Sequence, residues 1–450
     1  MEYILYFFFA MSVGFPILHS IHCLPFFQKK PANEMTNKGV ENGISILIPC
    51  YNEEGIIETS VESMKSLSYS QTEVVYINDG SSDRTLILLN KLLKLTPEYK
   101  DVLETLEYQE VKMLYRSELY PHILVVDKVN GGKADALNAG IEYSGKPIVI
   151  TLDADTVLED SSLLAVNKVF RDDDIVAAGG MVHVLQTKTP HEELSLKKTN
   201  TLVRAQALDF LKAFYVNKIS LSRFQALAVI SGAFGIFTRK VLLDVGGYRT
   251  TIGEDIDITL KVHQYISKLK GKKIVLIPEA VCYTELPENY RDLFKQRVRW
   301  QKAFVDCLIY FSSYLFRSFF TKPVSFFYIL EGFLSGTLAV YIMTGALVYN
   351  LLDGEVFSLT FILIYTLYIF ILGFIYNMVA VGMSDQYGYY FEEKDTLRLV
   401  GVIFYDIFIY RFITIFAVIY GTIEYFFNKK SWNKVKRTGR DYELNSENAA

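Results

Sequence analysis

Two kinds of composition alternate along this chain, and their order restricts the folds that it can adopt. Residues 1–27 and 324–427 are rich in Phe, Ile, Leu, Tyr and Val, whereas residues 28–300 have the mixed composition of a globular domain. With 51% hydrophobic and 21% charged residues, the chain of 450 residues is too apolar for an ordinary soluble protein and too polar for membrane helices alone. The sequence therefore predicts a globular domain built into a membrane protein.

Residues 1–27 are expected to form an N-terminal membrane anchor. The apolar run at 4–18 follows Met-Glu-Tyr, without the basic residues and the cleavage site of a signal peptide. Lys29 and Lys30 follow the anchor, and the positive-inside rule places them on the cytoplasmic side. The globular domain would then also be cytoplasmic.

The C-terminal apolar region begins with a predicted helical hairpin. Residues 325–352 and 356–383 are each long enough to cross a bilayer, and the turn Asp353-Gly354-Glu355 between them would lie outside. Residues 303–323, which precede the hairpin, are expected to form an interfacial helix. These segments predict a protein that crosses the membrane several times.

The last apolar stretch, residues 399–427, makes conflicting predictions. Asp406 and Arg411 lie near its centre, and charges at that depth are costly in lipid. Six basic residues follow in the tail of residues 428–450, and the positive-inside rule assigns them to the cytoplasm. A single crossing would put them outside. We therefore expect a re-entrant or interfacial hairpin here, with a plain crossing as the alternative.

Strand-like and helix-like segments alternate between the apolar regions. Buried strands are predicted at residues 44–49, 73–78, 123–127 and 147–152. Helix-compatible runs follow the first three strands, at residues 54–66, 83–95 and 133–143. This alternation predicts an α/β fold with a parallel sheet that is covered on both faces. In such sheets ligands bind beyond the carboxyl ends of the strands.

Acidic residues stand at three of these strand ends. The first strand leads into Tyr51 and Glu53, the second ends near Asp79, and the fourth leads into Asp153-Ala154-Asp155. Carboxylates at one edge suit a hard divalent cation that bridges a diphosphate. An Asp-x-Asp pattern alone is weak evidence, because the chain contains two others and because a solvated turn after a strand has the same composition.

Several classes of protein are excluded or unsupported. The net charge of −4 excludes a broadly basic nucleic-acid binder. The four cysteines form no CxxC pair and no HExxH is present, so a disulfide framework, a structural zinc site and a zinc hydrolase are not supported. A transporter or sensor with a nucleotide-binding domain would need a Walker-type motif or repeated membrane halves, and the sequence has neither.

Three further motifs each have an ordinary structural explanation. Gly131-Gly132 before Lys133 is typical of a turn that precedes a helix. Glu254 and Asp255 could simply face the dipole of a helix N-terminus. Arg299 and Trp300, in the segment Gln296–Trp300, could anchor the chain beside a bilayer.

Taken together, the order and spacing of these motifs resemble a known series. Asp79, Asp153-Ala154-Asp155, Gly253-Glu254-Asp255 and Gln296–Trp300 resemble the D, DxD, [T/G]ED and QxxRW motifs of processive family 2 glycosyltransferases, which include cellulose, hyaluronan, chitin and poly-N-acetylglucosamine synthases. The resemblance covers residues 40–302. It implies a cytoplasmic, Rossmann-like GT-A catalytic domain, inserted between the transmembrane segments of a plasma-membrane protein with a channel.

The resemblance also implies roles on the donor side. A UDP-sugar is the implied donor, and its diphosphate binds with Mg²⁺ or Mn²⁺. Tyr51, Glu53 and Asp79 match positions that hold the uridine, and Lys133 matches a basic residue near the nucleotide. The residues that match the pair in contact with the diphosphate and the metal are Asp153 and Asp155.

On the acceptor side, the implied partner is the growing polysaccharide. Asp255, with Glu254 beside it in the same motif, matches the catalytic base. Phe234 lies in a segment that lines the acceptor site in relatives. The residues that match the motif for the diphosphate and the acceptor sugar are Gln296, Arg299 and Trp300. A base near the acceptor hydroxyl suits inverting transfer, which converts an α-linked donor into a β-linked product.

The expected function is a processive, inverting synthase that polymerises a UDP-sugar and translocates the product. UDP-glucose and a β-glucan are favoured. The alternatives are a poly-N-acetylglucosamine or chitin-type synthase that uses UDP-N-acetylglucosamine, and a non-processive transferase acting on a lipid-linked acceptor. No FxVTxK loop of cellulose synthases is found after the catalytic domain, and control through an attached regulatory domain is not expected. Because the membrane part is small, a homo-oligomer or accessory export subunits are expected to complete a channel.

Overall fold

The described residues form two compact units. The computed structural model describes residues 2–25, 41–102, 104–189, 194–352 and 359–428. Within these, a sheet unit comprises residues 41–185 and 229–285, and a helical unit comprises residues 2–25, 186–228 and 286–428. The predictions for Lys29, Lys30, the turn at 353–355 and the basic residues after 428 lie outside the described residues.

The sheet unit contains one sheet of ten strands. Their order across the sheet is β3-β4-β5-β2-β1-β6-β9-β8-β10-β7. The strands are β1 Ile44–Cys50, β2 Thr72–Asp79, β3 Leu95–Glu98, β4 Val111–Ser117, β5 Ile123–Lys128, β6 Ile148–Leu152, β7 Val157–Leu158, β8 Ile175–Val184, β9 Phe234–Thr238 and β10 Lys273–Thr284.

The helices are numbered through the whole chain. They are α1 Glu2–His22, α2 Ile57–Lys65, α3 Thr85–Leu93, α4 Lys133–Tyr143, α5 Ser162–Val169, α6 Thr201–Leu211, α7 Ile219–Arg223, α8 Arg239–Asp244, α9 Glu254–Ile266, α10 Tyr290–Tyr310, α11 Ser312–Arg317, α12 Pro323–Phe327, α13 Ala339–Leu352, α14 Leu359–Gln386, α15 Thr396–Tyr405 and α16 Arg411–Phe427. Three π-helical segments, Lys212–Lys218, Tyr328–Leu338 and Asp406–Tyr410, join neighbouring α-helices.

The four predicted strands are present as β1, β2, β5 and β6. β1 is almost fully buried and pairs in parallel with β2 on one side and β6 on the other. β5 pairs in parallel with β2. The carboxyl ends of all four strands therefore point to one edge of the sheet, where the acidic residues were expected to meet.

The rest of the sheet differs from the purely parallel prediction. β9 runs antiparallel to both of its neighbours, β6 and β8, so the sheet is mixed. β8 and β9 pack closely together, because a Cβ added to Gly180 would lie 2.1 Å from the Phe234 ring. Gly180 in β8 makes room for the ring of Phe234 in β9. Because these two residues are far apart in the sequence, neither segment alone predicts the contact.

The helical unit contains three helical runs that are long and apolar enough to cross a membrane. They are Pro323–Leu352, Leu363–Gln386 and Glu393–Phe427, and a shorter apolar helix covers Tyr6–His22. Residues 186–228 and 286–302, which were assigned by sequence to the globular domain at 40–302, belong to this unit. α10 runs through residue 302 to Tyr310, into the segment expected as a separate interfacial helix.

The predicted hairpin at residues 399–427 is wrong. All of Glu393–Phe427 is described, and it forms one helical run with a π-helical segment in the middle. The charge of Asp406 is neutralised inside the unit, since Lys212 Nζ lies 2.7 Å from its Oδ2 and Asn377 Nδ2 donates to the same oxygen at 3.2 Å. Because the ion pair and the amide hydrogen bond stabilise this carboxylate inside the protein, the helix can continue without bringing the charge back to water.

Candidate functional site

The loops after β1 and β2 are tied to one another. Asn52 has a left-handed backbone, with φ of 54°, and its side-chain oxygen accepts a hydrogen bond of 2.7 Å from the Ser82 amide. Its own amide donates to Ser81 Oγ at 3.0 Å. This cross-link positions Tyr51, whose side chain is 39% exposed, and Glu53 at the carboxyl edge of the sheet.

Asp79, at the end of β2, is buried and holds the loop that precedes α4. Its Oδ1 accepts from the Gly131 amide at 2.9 Å and its Oδ2 from the Gly132 amide at 2.8 Å. Gly132 has φ of 91°, a conformation that disfavours other residues. Asp79 is only 2% exposed. Its observed contacts therefore position the loop that carries Lys133, and its proposed contact with uridine stays a prediction.

Lys128 is a neighbour of Asp79 that the sequence analysis did not identify. It is the last residue of β5, fully buried, and its Nζ lies 2.8 Å from Asp79 Oδ1 and forms an ion pair with Asp135 of α4. A buried ammonium between two carboxylates is stable only if all of these groups stay paired. The available signal was the pair Asp127-Lys128 at the end of an apolar strand, with Lys128 in register with Asp79 on the neighbouring strand.

Lys133 joins two of the predicted site residues. As the first residue of α4, it extends its Nζ to within 2.8 Å of Asp153 Oδ1 and 3.1 Å of Glu254 Oε1. Burial alone would lower the pKa of this ammonium, but the two carboxylates together raise the pKa well above its usual range. Lys133 is therefore a fixed positive charge between the end of β6 and the start of α9.

The start of α9 carries the predicted catalytic acids. Glu254 and Asp255 are its first residues, where the partial positive charge of the helix N-terminus stabilises carboxylates. Asp255 Oδ1 accepts a hydrogen bond of 2.8 Å from the Ile256 amide. The neighbouring Asp257 has a different environment, because it is fully buried and Arg249 Nε lies 2.6 Å from its Oδ1.

A small hollow separates Lys133 from the loop that precedes β9. It has a volume of about 10 Å³, and its lining includes Ser231, Gly232, Glu254 and Asp255. A Cβ added to Gly232 would lie 3.0 Å from Lys133 Nζ. The absence of a side chain at this glycine leaves room for the ammonium group of Lys133 beside the hollow.

Asp153 and Asp155 follow β6 at the same edge, and the chemistry of their side chains fits a divalent metal. Among the described residues, no three His, Cys, Asp or Glu side chains come close enough together to hold a metal by themselves. Mg²⁺ is commonly bound through one or two carboxylates and completed by substrate phosphates. Asp153 and Asp155 therefore suit an Mg²⁺ or Mn²⁺ ion whose remaining ligands come from a diphosphate. They do not suit a structural metal held by protein side chains alone.

Phe234 has a different position from the one expected. Its ring is fully buried as the first residue of β9, paired with Leu152 and packed against Gly180. A side chain in the core supports the loop before β9 and does not present a surface to an acceptor. The motif identifies the segment but does not indicate which of its side chains faces inward, and an acceptor role for the segment stays a prediction.

The three residues predicted for the QxxRW motif lie on α10 of the helical unit. Gln296 Oε1 is buried without a hydrogen-bond partner among the described residues. Arg299 is half-buried, and Trp300 is 40% exposed. Trp300 thus presents a flat apolar ring at the surface of the helix, the kind of side chain on which a sugar ring stacks.

The helical unit also contains a cavity of about 330 Å³. This volume is at the lower end of the range of small-molecule sites. Asn377 is 1% exposed, and its Oδ1 has no hydrogen-bond partner within the described ranges. The polar residues that line the cavity are Ser12, Asp209, Lys212, Asn217, Tyr376, Asn377, Asp406, Tyr410, Arg411 and Thr414. Two of the π-helical segments contribute to this lining, and such segments are frequent at functional sites.

Comparison with known proteins gives consistent matches over most of the chain. Residues 45–244 match the family model described as glycosyl transferase family 2, and residues 148–383 match that of glycosyl transferase family group 2. A poly-beta-1,6-N-acetyl-D-glucosamine synthase of Staphylococcus epidermidis is 28% identical over 88% of this chain and 89% of the relative. A protein of the same description from Staphylococcus aureus (strain MSSA476) is 31% identical over 59% of this chain and 56% of the relative.

A solved structure shares the fold. A mannosyltransferase from Pyrobaculum calidifontis, in complex with GDP-Man and Mn²⁺, has a TM-score of 0.56 to this chain at 18% identity. The alignment covers 95% of this chain and 99% of the other. The likeness and the family match confirm the predicted fold class, a GT-A-like α/β domain combined with apolar helices.

Proposed function

Because the chain belongs to glycosyltransferase family 2, we propose that it is a processive, inverting synthase of a β-linked polysaccharide with UDP-N-acetylglucosamine as its donor. The relatives reported above are described as poly-beta-1,6-N-acetyl-D-glucosamine synthases, and one of them aligns over 88% of this chain. The sequence analysis favoured UDP-glucose and a β-glucan, which these relatives do not support. Its alternative, a poly-N-acetylglucosamine synthase, agrees with them.

The observation that carries the proposal is the contact of Lys133 with both Asp153 and Glu254. One ammonium joins the end of β6, where a donor diphosphate would bind, to the start of α9, where the base would act. Asp255 follows Glu254 on the same helical turn. The groups that are proposed to bind the donor and to accept the proton are thereby held at one edge of the sheet.

In the proposed reaction, the acceptor hydroxyl attacks the anomeric carbon of the donor from the face opposite to UDP. Asp255 takes the hydroxyl proton, a step that typically contributes about 10²- to 10⁴-fold to a rate. The new C–O bond forms as the bond between the anomeric carbon and the diphosphate oxygen breaks, and UDP leaves with the electron pair. Ile256 donates its amide to Asp255 Oδ1, and this hydrogen bond restricts the orientation of the proposed base.

Asp153 and Asp155 would hold the divalent metal, whose charge offsets the negative charge that develops on the departing diphosphate. Lys133 lies beside Asp153 and keeps a further positive charge at this position. Tyr51 and Glu53 are proposed to bind the nucleoside. The motif residues Gln296, Arg299 and Trp300 are proposed to bind the diphosphate and the acceptor sugar.

The helical unit is proposed to place the enzyme in the plasma membrane, with the sheet unit in the cytoplasm. Its three long apolar runs are able to cross a bilayer. The polar cavity beside Asn377 and Asp406 is a candidate for part of the path of the polymer, because its hydrogen-bonding groups lie in otherwise apolar surroundings. A second copy of the chain or accessory subunits would complete the path.

The proposal is tested by supplying membranes that contain the protein with each UDP-sugar in turn. The expected product is a long polymer made only from UDP-N-acetylglucosamine, and digestion with linkage-specific glycanases identifies the bond. Incorporation of glucose instead would restore the β-glucan hypothesis. A product extended by a single sugar would contradict processive synthesis and favour the transferase with a lipid-linked acceptor.

A further inference from the structure

Arg297 lies inside the segment Gln296–Trp300 but has none of the roles proposed above. It precedes Trp300 by three residues on α10, so the two side chains lie on the same face of the helix. The guanidinium carbon of Arg297 is 4.2 Å from the centroid of the Trp300 ring. This is the geometry of a cation–π contact. Arg297 is therefore placed to hold the indole ring in one orientation.

Groups from two other helical segments hold the guanidinium in turn. Its Nη2 is 3.0 Å from Asp209 Oδ2 and donates to the Tyr410 hydroxyl at 2.5 Å. Tyr410, only 1% exposed, donates to the same Asp209 oxygen at 3.3 Å. The Arg297 side chain is 11% exposed, so water screens these charges weakly. Asp209 and Tyr410 thus restrict the guanidinium to one orientation.

Trp300 keeps a surface that is available to a ligand. Its ring contacts Arg297 and lies 6.5 Å from the ring of Phe210, measured between centroids, yet the residue is 40% exposed. Asp209 and Tyr410 also line the cavity of the helical unit. A single guanidinium therefore connects the exposed indole with residues of the cavity wall.

We propose that Arg297 is a positioning residue for the acceptor, which holds the Trp300 ring in the orientation on which a sugar stacks. The inference rests on the proposed function, in which Trp300 binds the acceptor sugar. Without Arg297 the growing end would be held less tightly and released earlier, while donor turnover would continue. A contact of this type corresponds to about a 3- to 30-fold change in an equilibrium constant.

The position of the ring is measured directly by fluorescence. The chain has two tryptophans, Trp300 and Trp432, so Trp432→Phe leaves Trp300 as the only indole. In this background, Arg297→Met is expected to lower the fluorescence anisotropy of Trp300 and to increase its quenching by acrylamide. Arg291→Met is the matched control, because Arg291 is an exposed arginine on the same helix. The control is expected to leave both signals unchanged.

The same variants are then assayed for synthesis. Arg297→Met is expected to shorten the polymer and to raise the KM for an added oligosaccharide acceptor by about 3- to 30-fold. The KM for the UDP-sugar and its slow hydrolysis without acceptor are expected to stay within about twofold of the parent, since Arg297 is not among the residues proposed to bind the donor. Arg297→Lys retains the charge and is expected to give intermediate values, and it replaces Arg297→Met if that variant does not fold.

Three results would overturn the inference, and the first two are specific to the orientation of the ring. One is unchanged Trp300 fluorescence in both Arg297 variants, and the other is an unchanged polymer length when the fluorescence does change. A parallel fall in thermal stability, donor hydrolysis and polymer yield would show a purely structural role and would also overturn it. Failure of the parent protein to polymerise any UDP-sugar would instead contradict the proposed function, and the fluorescence result would still decide whether Arg297 orients Trp300.

Discussion

Lys133 donates to two carboxylates from separate elements of the sheet unit: Asp153, which is proposed to hold the metal, and Glu254, which precedes the proposed base Asp255. Asp153 follows β6 and Glu254 begins α9. Without the ammonium, the two negative charges would face one another at the donor site. The lysine is predicted by the resemblance to lie near the nucleotide, and the structure shows that it also keeps the two acids in position.

Lys133→Gln is expected to weaken donor binding. Hydrogen bonds to charged groups contribute about 1.5–3 kcal/mol, so we expect about a 10- to 100-fold rise in the dissociation constant of UDP in the presence of Mn²⁺, measured by calorimetry. Lys133→Arg, which retains the charge, should lose less. Equal affinity of wild type and Lys133→Gln would show that this residue does not contribute to the donor site.

Asp255→Asn tests the proposed catalytic base. The substitution preserves size and removes the proton acceptor, so polymer synthesis should fall by at least about 10²-fold while UDP binding and the melting temperature are retained. Synthesis at the wild-type rate would remove Asp255 as the base.

Asp257→Asn is the matched control for Asp255→Asn, two positions along the same helix. Asp257 is fully buried and paired with Arg249. Breaking a buried pair on one side typically costs about 3–5 kcal/mol. A lower melting temperature is therefore expected for this variant, in contrast to Asp255→Asn.

At the level of elements, β8 contains a buried histidine that makes the sheet unit sensitive to acid. Burial lowers the pKa of His183 to about 3, and its ring packs edge-on against Tyr283 of β10, with 5.6 Å between centroids. In the unfolded chain a histidine titrates near its ordinary pKa of about 6.5. Between these two values the unfolded chain binds a proton that the folded chain does not bind.

The free energy of unfolding is therefore expected to fall as the pH drops below about 6.5, by up to about 1.4 kcal/mol per pH unit from this group. His183→Phe should remove this part of the slope, as measured by thermal unfolding in detergent at several pH values between about 7.5 and 4.5. Tyr283→Phe, which keeps the ring packed against His183 and removes no histidine, serves as the control and should keep the slope. Identical slopes in wild type and His183→Phe would contradict the prediction.

The elements also show how far local patterns extend. β1, β2, β5 and β6 were predicted because each is a short apolar run bounded by polar residues, and each is present. β9 and β8 were not predicted, because their pairing depends on Gly180 and Phe234 fitting together across 54 positions of the sequence. The hairpin expected in the last apolar stretch failed for the same reason, since Lys212 neutralises Asp406 from a distant segment.

At the level of the whole molecule, that ion pair connects the third long apolar run to the segment after α6. Lys212 Nζ is 2.7 Å from Asp406 Oδ2, and Asp406 is only 6% exposed. Without its partner, Asp406 would keep, among the described residues, only the hydrogen bond from Asn377, and Lys212 only a longer contact of 3.9 Å to Asp209 Oδ1. Asp406→Asn or Lys212→Met alone should therefore destabilise the protein by about 3–5 kcal/mol, and the double variant Lys212→Met/Asp406→Asn by much less than the sum.

A double-mutant cycle of thermal unfolding in detergent measures this coupling. Thr414→Val is a suitable control, because its side chain also lines the cavity but its Oγ1 donates to the Arg411 carbonyl of its own helix. Additive effects of the two single substitutions would show that the pair does not hold the helical unit together.

By itself, the sequence determined the class of the fold, the apolar helices and the order of the acidic motifs, because these depend on local composition and on spacing along the chain. The tertiary structure decided which of those residues meet. It buried Asp79 and Phe234 and placed Lys133 between Asp153 and Glu254. It also paired Lys212 with Asp406, an acidic residue within an apolar run. These contacts join segments far apart in the chain, and their energy depends on distance and burial, which no local pattern of residues encodes.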